Sequence, residues 1–95
     1  MITPKQRAVL RSMANTIDPV FQIGKEDVGP ALIGAVDAAL EKRELIKLSI
    51  LQTAGVTAKE AAQRIAAETN AEIVQCIGRR FVLYRESKKH RRIEI

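Results

Sequence analysis

The basic side chains of this chain are concentrated towards its C-terminal end. Residues 79–95 contain seven Lys/Arg and two Glu, whereas residues 1–78 contain nine Lys/Arg and nine Asp/Glu, so the last segment carries the whole formal net charge of +5. Cationic side chains with little compensating acid attract phosphate groups. The pattern therefore predicts a polyanion-binding surface, and its candidate ligands are Arg79, Arg80, Arg85, Lys88 and Lys89.

A second candidate phosphate site lies at Gly24 and Lys25, between a short apolar run and a predicted helix. A glycine at such a junction lets backbone N–H groups approach a phosphate, and the helix N-terminus adds a favourable dipole. Lys25 would supply the positive charge. The alternative is that Gly24 only turns the chain.

Lys47 and Tyr84 lie in predicted strands and could extend this surface. Lys47 alternates with Ile46 and Leu48, so its side chain is predicted on the face opposite theirs. It either widens the basic surface across the sheet or is simply solvated. Tyr84 either stacks on a base or covers the core, and we favour the core because one aromatic residue makes a poor stacking platform.

Residue types that support catalysis are sparse. The sequence has one histidine, His90, and one cysteine, Cys76, which together cannot supply a zinc site or an internal disulfide. Glu26 and Asp27 are adjacent acids. Two carboxylates supply few ligands for a Mg²⁺ ion, so we favour simple solvation of both side chains. Neither a nucleotide phosphate loop nor a dinucleotide motif occurs. We therefore predict no enzymatic activity, no metal and no cofactor.

Three helices are predicted from apolar periodicity and capping residues, over about 4–17, 30–43 and 58–69. The first and third begin at capping boxes, formed by Thr3 with Gln6 and by Thr57 with Glu60. Proline at positions 4 and 30 suits the first helical turn, and Pro19 ends the first helix.

Four strands complete the prediction, over 20–23, 45–51, 72–77 and 81–85. Gly78 favours a type II′ hairpin turn between the last two, since glycine adopts a positive φ at low cost. The two strand–helix–strand units predict right-handed crossovers between adjacent parallel strands.

The order α-β-α-β-α-β-β predicts one domain over residues 1–95 of the α/β (α+β-like) class. Its helices should pack on a four-stranded mixed sheet. Residues 86–95 are predicted to form a flexible basic tail, with docking of Ile93 and Ile95 as the alternative.

Three blocks of sequence, over 19–25, 44–48 and 75–85, resemble the CRM (chloroplast RNA splicing and ribosome maturation) domain in its stand-alone bacterial YhbY-type form. The blocks occur in the expected order and span most of the chain. The resemblance implies an RNA-binding domain whose fold is similar to the C-terminal domain of translation initiation factor three. It also implies association with precursor large ribosomal subunits and a role in their assembly.

The resemblance further implies a Gly-x-x-Gly loop after the first strand, which here would cover residues 24–27. Gly24 matches the first glycine, whereas Asp27 replaces the second and adds a negative charge where a phosphate would approach. The basic hairpin and Lys47 match better, so the RNA-binding prediction rests mainly on them.

The leading hypothesis is thus a non-enzymatic, cytoplasmic and monomeric protein that binds ribosomal RNA in precursor large subunits. The alternative is a protein-docking module on a ribosomal or assembly protein, with incidental charge. A nuclease is disfavoured because no carboxylate or histidine cluster suits metal-assisted cleavage. No small-molecule substrate is expected, and no membrane role, because no apolar run approaches the ~20 residues that span a bilayer.

Overall fold

A computed structural model describes residues 2–24 and 28–95. The predicted order of elements is confirmed. The helices are α1 (Pro4–Ala14), α2 (Pro30–Arg43) and α3 (Ala58–Thr69), and the strands are β1 (Pro19–Ile23), β2 (Leu45–Ile50), β3 (Glu72–Ile77) and β4 (Arg80–Tyr84).

The helix ends follow the local chemistry of the sequence. Both predicted capping boxes form. The side chains of Thr3 and Thr57 each accept a hydrogen bond from the backbone N–H three residues on, and the side chain of that third residue accepts one from the backbone N–H of the threonine. Helix α1 ends at Ala14, earlier than predicted. Ser, Asn and Thr compete with the helix for backbone groups, and the Thr16 hydroxyl indeed donates to the Met13 carbonyl at 3.0 Å.

The sheet is mixed, as predicted, with the strand order β1-β2-β4-β3. Strands β1 and β2 pair in parallel, which confirms that the first strand–helix–strand unit joins adjacent parallel strands. The expectation that β2 and β3 are also neighbours is wrong, because β4 lies between them and pairs antiparallel with both. Residues 81–84 are apolar in succession and all buried, which requires cover on both faces and suits a central strand.

Two hydrophobic clusters lie on opposite faces of the sheet. The larger joins the sheet to α2 and α3 through residues such as Leu40, Ile65 and Phe81. The smaller joins it to α1 and the C-terminal segment through Leu10 and Ile93. Tyr84 is buried in this second cluster, which confirms its predicted core role.

The C-terminal segment is held by a buried carboxylate. Glu44 is 0% exposed, and its carboxylate accepts hydrogen bonds from the backbone N–H groups of Ser87 and Ile93, each at 2.8 Å, and from that of Arg92. Ile93 is itself buried. The sequence favoured a flexible tail, and the observed contacts correspond to the docked alternative at Ile93.

The hairpin turn supplies a direct test of backbone conformation. Gly78 has φ +60°, and a Cβ added there would meet no atom within 4 Å, so Gly78→Ala would cost backbone strain alone. We expect a loss of about 1 kcal/mol of unfolding free energy. Gly34 lies inside α2 with equally open surroundings. Gly34→Ala should therefore stabilise by about 0.5–1 kcal/mol. Urea unfolding of both variants measures the two signs, and equal signs would contradict this account.

Candidate nucleic-acid interface

The hairpin tip presents two arginines at the end of the sheet. Gly78 and Arg79 form a two-residue turn, since Ile77 pairs with Arg80. Gly78 has a positive φ and Arg79 does not, which fits the predicted type II′ turn. The Arg79 carbonyl accepts a hydrogen bond from the Ile50 N–H at 2.8 Å. The tip is thereby fixed to β2 while both arginine side chains are exposed.

Lys47 lies on the same sheet face as Arg80. Ile46 and Leu48 are buried against α2 and α3, so Lys47 and Ser49 project from the opposite face, as predicted. Ser49 pairs with Arg80, which makes Lys47 its diagonal neighbour. Diagonal neighbours lie about 7–8 Å apart, within reach of long side chains. One phosphate group could therefore contact both cations.

Part of this face is not covered by α1, and we call it the open sheet face. The pairing registers place six side chains from all four strands on it, each exposed or half-buried. They are Gln22, Lys47, Ser49, Gln75, Ile77 and Arg80. Ile77 is 68% exposed. The surface thus combines two cations, three neutral hydrogen-bonding side chains and one apolar residue.

Helix α1 borders the open sheet face with basic residues. The Arg7 Nη1 donates to the Ile73 carbonyl and, at 3.4 Å, to the Val74 carbonyl, so this side chain covers part of the β3 edge. Gln6, on the other flank, donates to the Ile95 carbonyl at 3.2 Å. Arg11 is exposed and follows Arg7 by one turn, so it lies on the same flank of α1. The sequence alone does not place Arg11 beside the site, because it does not show which part of the sheet α1 covers.

The Arg85 side chain joins two helices of the fold. Its Nη1 lies 2.6 Å from Asp37 Oδ1 and 2.8 Å from the Thr69 carbonyl, and its Nη2 lies 2.9 Å from the Asp37 carbonyl. It thereby ties α2 to the C-terminal end of α3, where a cation is favoured. Arg85 stands at the far end of β4 from Arg80, about 17 Å away at 3.4 Å per residue. Its contact with RNA stays a prediction.

Lys88 and Lys89 also lie at the far end of β4, in the C-terminal segment. Their side chains are exposed, and their backbone N–H groups donate to the Glu41 carboxylate at 3.4 and 3.1 Å. The predicted basic ligands therefore do not form one cluster. Arg79, Arg80 and Lys47 come together at one end, while Arg85, Lys88 and Lys89 lie at the other.

Gly24 follows β1 at the tip end of the sheet, but neither space nor backbone angle requires glycine there. A Cβ would lie 3.5 Å from Leu51 Cδ1, an ordinary contact, and no positive φ is found. The part of the predicted Gly-x-x-Gly loop with Lys25, Glu26 and Asp27 lies outside the described residues. Gly24 and Lys25 as RNA ligands stay predictions.

Tyr84 lies in the core rather than in this interface. Burial, followed by the charges of Glu44 and Glu86, raises the pKa of the Tyr84 hydroxyl, as fits a core residue. Within residues 2–24 and 28–95, no group of three His, Cys, Asp or Glu side chains could hold a metal ion. The helices in these ranges are too short or too polar to cross a bilayer.

Comparison with known proteins gives a consistent picture. The model of the CRS1 / YhbY (CRM) domain family matches residues 2–85. The chain is 41% identical over 95 residues to the Bacillus subtilis protein named probable RNA-binding protein YqeI, covering 100% of this chain and 99% of the relative. It is 31% identical over 88 residues to a Haemophilus influenzae protein named RNA-binding protein, covering 93% and 89%.

A solved structure shares the fold. The solution structure of a hypothetical Staphylococcus aureus protein, described as a candidate RNA binding protein, has a TM-score of 0.82 and 46% sequence identity to this chain. The match covers 100% of this chain and 99% of that one. The predicted α+β fold and the resemblance to the CRM domain are thereby confirmed.

Proposed function

Because this chain belongs to the CRS1/YhbY (CRM) domain family, we propose that it binds RNA through the hairpin tip and the open sheet face. The observation that carries this proposal is the joint placement of Arg79, Arg80 and Lys47 at one end of the sheet, with Arg11 at its border. Cations at this spacing neutralise neighbouring phosphates of a nucleic-acid backbone. The relatives named as RNA-binding proteins support the same class of partner.

Recognition on this surface is by backbone and shape. Sequence-specific binding of single-stranded RNA relies on exposed aromatic side chains that stack on bases. Here Phe81 and Tyr84 are buried and Phe21 is half-buried against the core. The neutral donors and acceptors Gln22, Ser49 and Gln75 can contact sugar hydroxyls and phosphates, which position a protein without reading bases.

The finer proposal concerns the RNA itself. We assign the partner as ribosomal RNA in precursor large ribosomal subunits, with a non-enzymatic role in their assembly, in the cytoplasm and as a monomer. The support is the resemblance of the three sequence blocks to the stand-alone CRM domain. The protein-docking alternative would use apolar surface, yet the exposed large apolar residues in the described ranges are distributed over several elements: Val9, Met13, Val20, Leu51 and Ile77.

Competition binding tests the choice of RNA. A fluorescent fragment of large-subunit ribosomal RNA is bound to the protein and displaced with unlabelled fragments or with an unrelated RNA duplex of equal length. We expect the ribosomal fragments to displace it at lower concentration, and the protein to cosediment with precursor more than with mature large subunits. Equal displacement by the duplex, with no enrichment on precursors, would contradict the ribosomal assignment and leave RNA binding in place.

A further inference from the structure

The C-terminal segment carries a second concentration of positive charge, remote from the hairpin tip. Four basic residues and a histidine occupy positions 88–92, and all five side chains are exposed. They follow Arg85, which lies about 17 Å from Arg80 at 3.4 Å per residue, and Glu41 and Glu44 bind their backbone at that end of the sheet. The longest dimension of the domain is 36 Å. One phosphate group therefore cannot contact both regions, which we call the tip and the tail cluster (residues 88–92).

The tail cluster is ordered by carboxylates that bind its backbone. Glu44 accepts the N–H groups of Arg92 and Ile93, and Glu41 accepts those of Lys88 and Lys89. The Ser87 hydroxyl also donates to Glu41, at 2.6 Å. Since the backbone N–H groups turn inward to these carboxylates, the cationic side chains are presented outward. Such preorganisation lowers the entropic cost of binding.

The surfaces around the tail cluster do not continue a path for phosphates towards the tip. On one side, a cleft of about 420 Å³ is lined by four acids, Asp37, Glu41, Glu68 and Glu86, against two cations, Lys88 of the tail cluster and Arg85, which is paired with Asp37. On the other side, the flank of α1 that bears Gln6 also exposes Val9 and Met13, at 44% and 38%. Neither a surface with an excess of acids nor an apolar one attracts a polyanion. A nucleic acid bound at the tail is thus separated from one bound at the tip.

We propose that the tail cluster is a second RNA contact, independent of the tip, and that the domain holds two RNA segments at once. This inference rests on the proposed function and adds an activity to it, namely bringing two backbones together. Lys88 and Lys89 are the central contacts, because neither forms an ion pair with the residues that the structure describes, whereas Arg91 Nε lies 3.1 Å from Glu86 Oε1. Contacts of this kind bind phosphates without base specificity.

A capture assay tests the proposal with two RNAs that cannot pair. Biotinylated oligouridine is fixed at low density on streptavidin, and fluorescent oligouridine of the same length is added with the full-length protein. We expect the wild-type protein to retain fluorescence on the surface, and a large excess of protein to reduce it, because each RNA then occupies its own protein. Both K88E/K89E and R79E/R80E should capture no more than background. Each should still bind a single oligonucleotide at its remaining site, R79E/R80E far more weakly because the tip is the stronger of the two sites.

Controls separate this mechanism from its competitors. The variant K59E/R64E makes the same charge change on exposed positions of α3 and should capture as the wild type does. An equal mixture of the tip and tail variants should capture no second RNA if one monomer must carry both sites. If capture instead depended on a dimer, a mixed dimer would combine one intact site from each variant and restore it. Capture by K88E/K89E at the wild-type level, or by the mixture, overturns the proposal. If the wild-type protein binds a single RNA but captures no second one, the two-segment proposal is overturned and the proposed function stands. If it binds no RNA at all, the proposed function is overturned as well.

Discussion

The double replacement Arg79→Glu and Arg80→Glu is expected to lower the affinity for ribosomal RNA by about 100-fold or more. A hydrogen bond to a charged group contributes about 1.5–3 kcal/mol, and about 1.4 kcal/mol corresponds to a tenfold change in affinity. Two lost contacts give this magnitude before the added repulsion of two glutamates. Fluorescence anisotropy with a labelled ribosomal fragment at fixed salt measures the loss.

The fold should survive this replacement, which makes the result interpretable. Both arginine side chains are exposed, and the hydrogen bond that fixes the tip to β2 involves the Arg79 carbonyl rather than its guanidinium. Exposed substitutions of this kind usually change stability by less than about 0.5 kcal/mol. The matched variant K59E/R64E should bind RNA with only a modest loss from net charge. If R79E/R80E binds as tightly as this control, the tip is not the RNA surface.

The second large effect is expected from Glu44→Ala. The buried carboxylate accepts three backbone N–H groups, from Ser87, Arg92 and Ile93, and the substitution leaves these donors without their partner. Each unsatisfied buried donor costs about 1–3 kcal/mol, so the free energy of unfolding should fall by roughly 3 kcal/mol. Amide hydrogen exchange of the segment 87–93 should accelerate in the same variant. Thermal and urea unfolding give the magnitude.

Two comparison variants assign the cause of this loss. Glu44 has φ +66°, a backbone conformation that favours glycine. Glu44→Gly should therefore destabilise by about 1 kcal/mol less than Glu44→Ala, because it relieves the backbone while removing the same carboxylate. Glu94→Ala removes an exposed carboxylate from the same segment and should change little. Equal stabilities of Glu44→Ala and Glu94→Ala would show that the carboxylate does not hold the tail.

The same contacts predict how stability depends on pH. Burial alone would raise the pKa of the Glu44 carboxyl, but the N–H donors of Ser87, Arg92 and Ile93 outweigh it and hold the pKa below its ordinary 4.5. The Ser87 hydroxyl, then the Lys89 N–H, lowers the pKa of Glu41 as well. The native state thus binds fewer protons than the unfolded state, so this stabilisation is present above pH 4.5 and decreases as the pH falls below it. Glu44→Ala should flatten that decrease.

Much of the fold could be predicted because its signals are local. Each capping box, at Thr3 and at Thr57, identifies a helix start from residues that are only three positions apart. Gly78 between two β-prone runs fixes the hairpin and its turn type. Alternation around Lys47 assigns its sheet face correctly. Each inference depends on backbone chemistry within one turn or one strand.

The remaining features depend on residues distant in sequence. The apolar run over residues 81–84 is typical of a central strand. The crossover rule instead favours β2 and β3 as neighbours, and it led to the wrong strand order. Arg85 bonds to Asp37, 48 residues away, and Glu44 bonds to Ile93, 49 residues away. The charge count predicted one surface for the basic residues of 79–95, because sequence position does not show that β4 separates the tip from the tail.

The salt dependence of RNA affinity tests the central claim most directly. The dissociation constant for one ribosomal RNA fragment is measured across a salt series for the wild type and for Arg79→Gln with Arg80→Gln. Each neutralised phosphate adds about 0.7–0.9 to the slope of log affinity against log salt. If the tip binds the backbone, the double variant should have a slope shallower by about 1.4–1.8. Identical slopes in the two proteins would contradict the assignment of the hairpin tip as the RNA-binding surface.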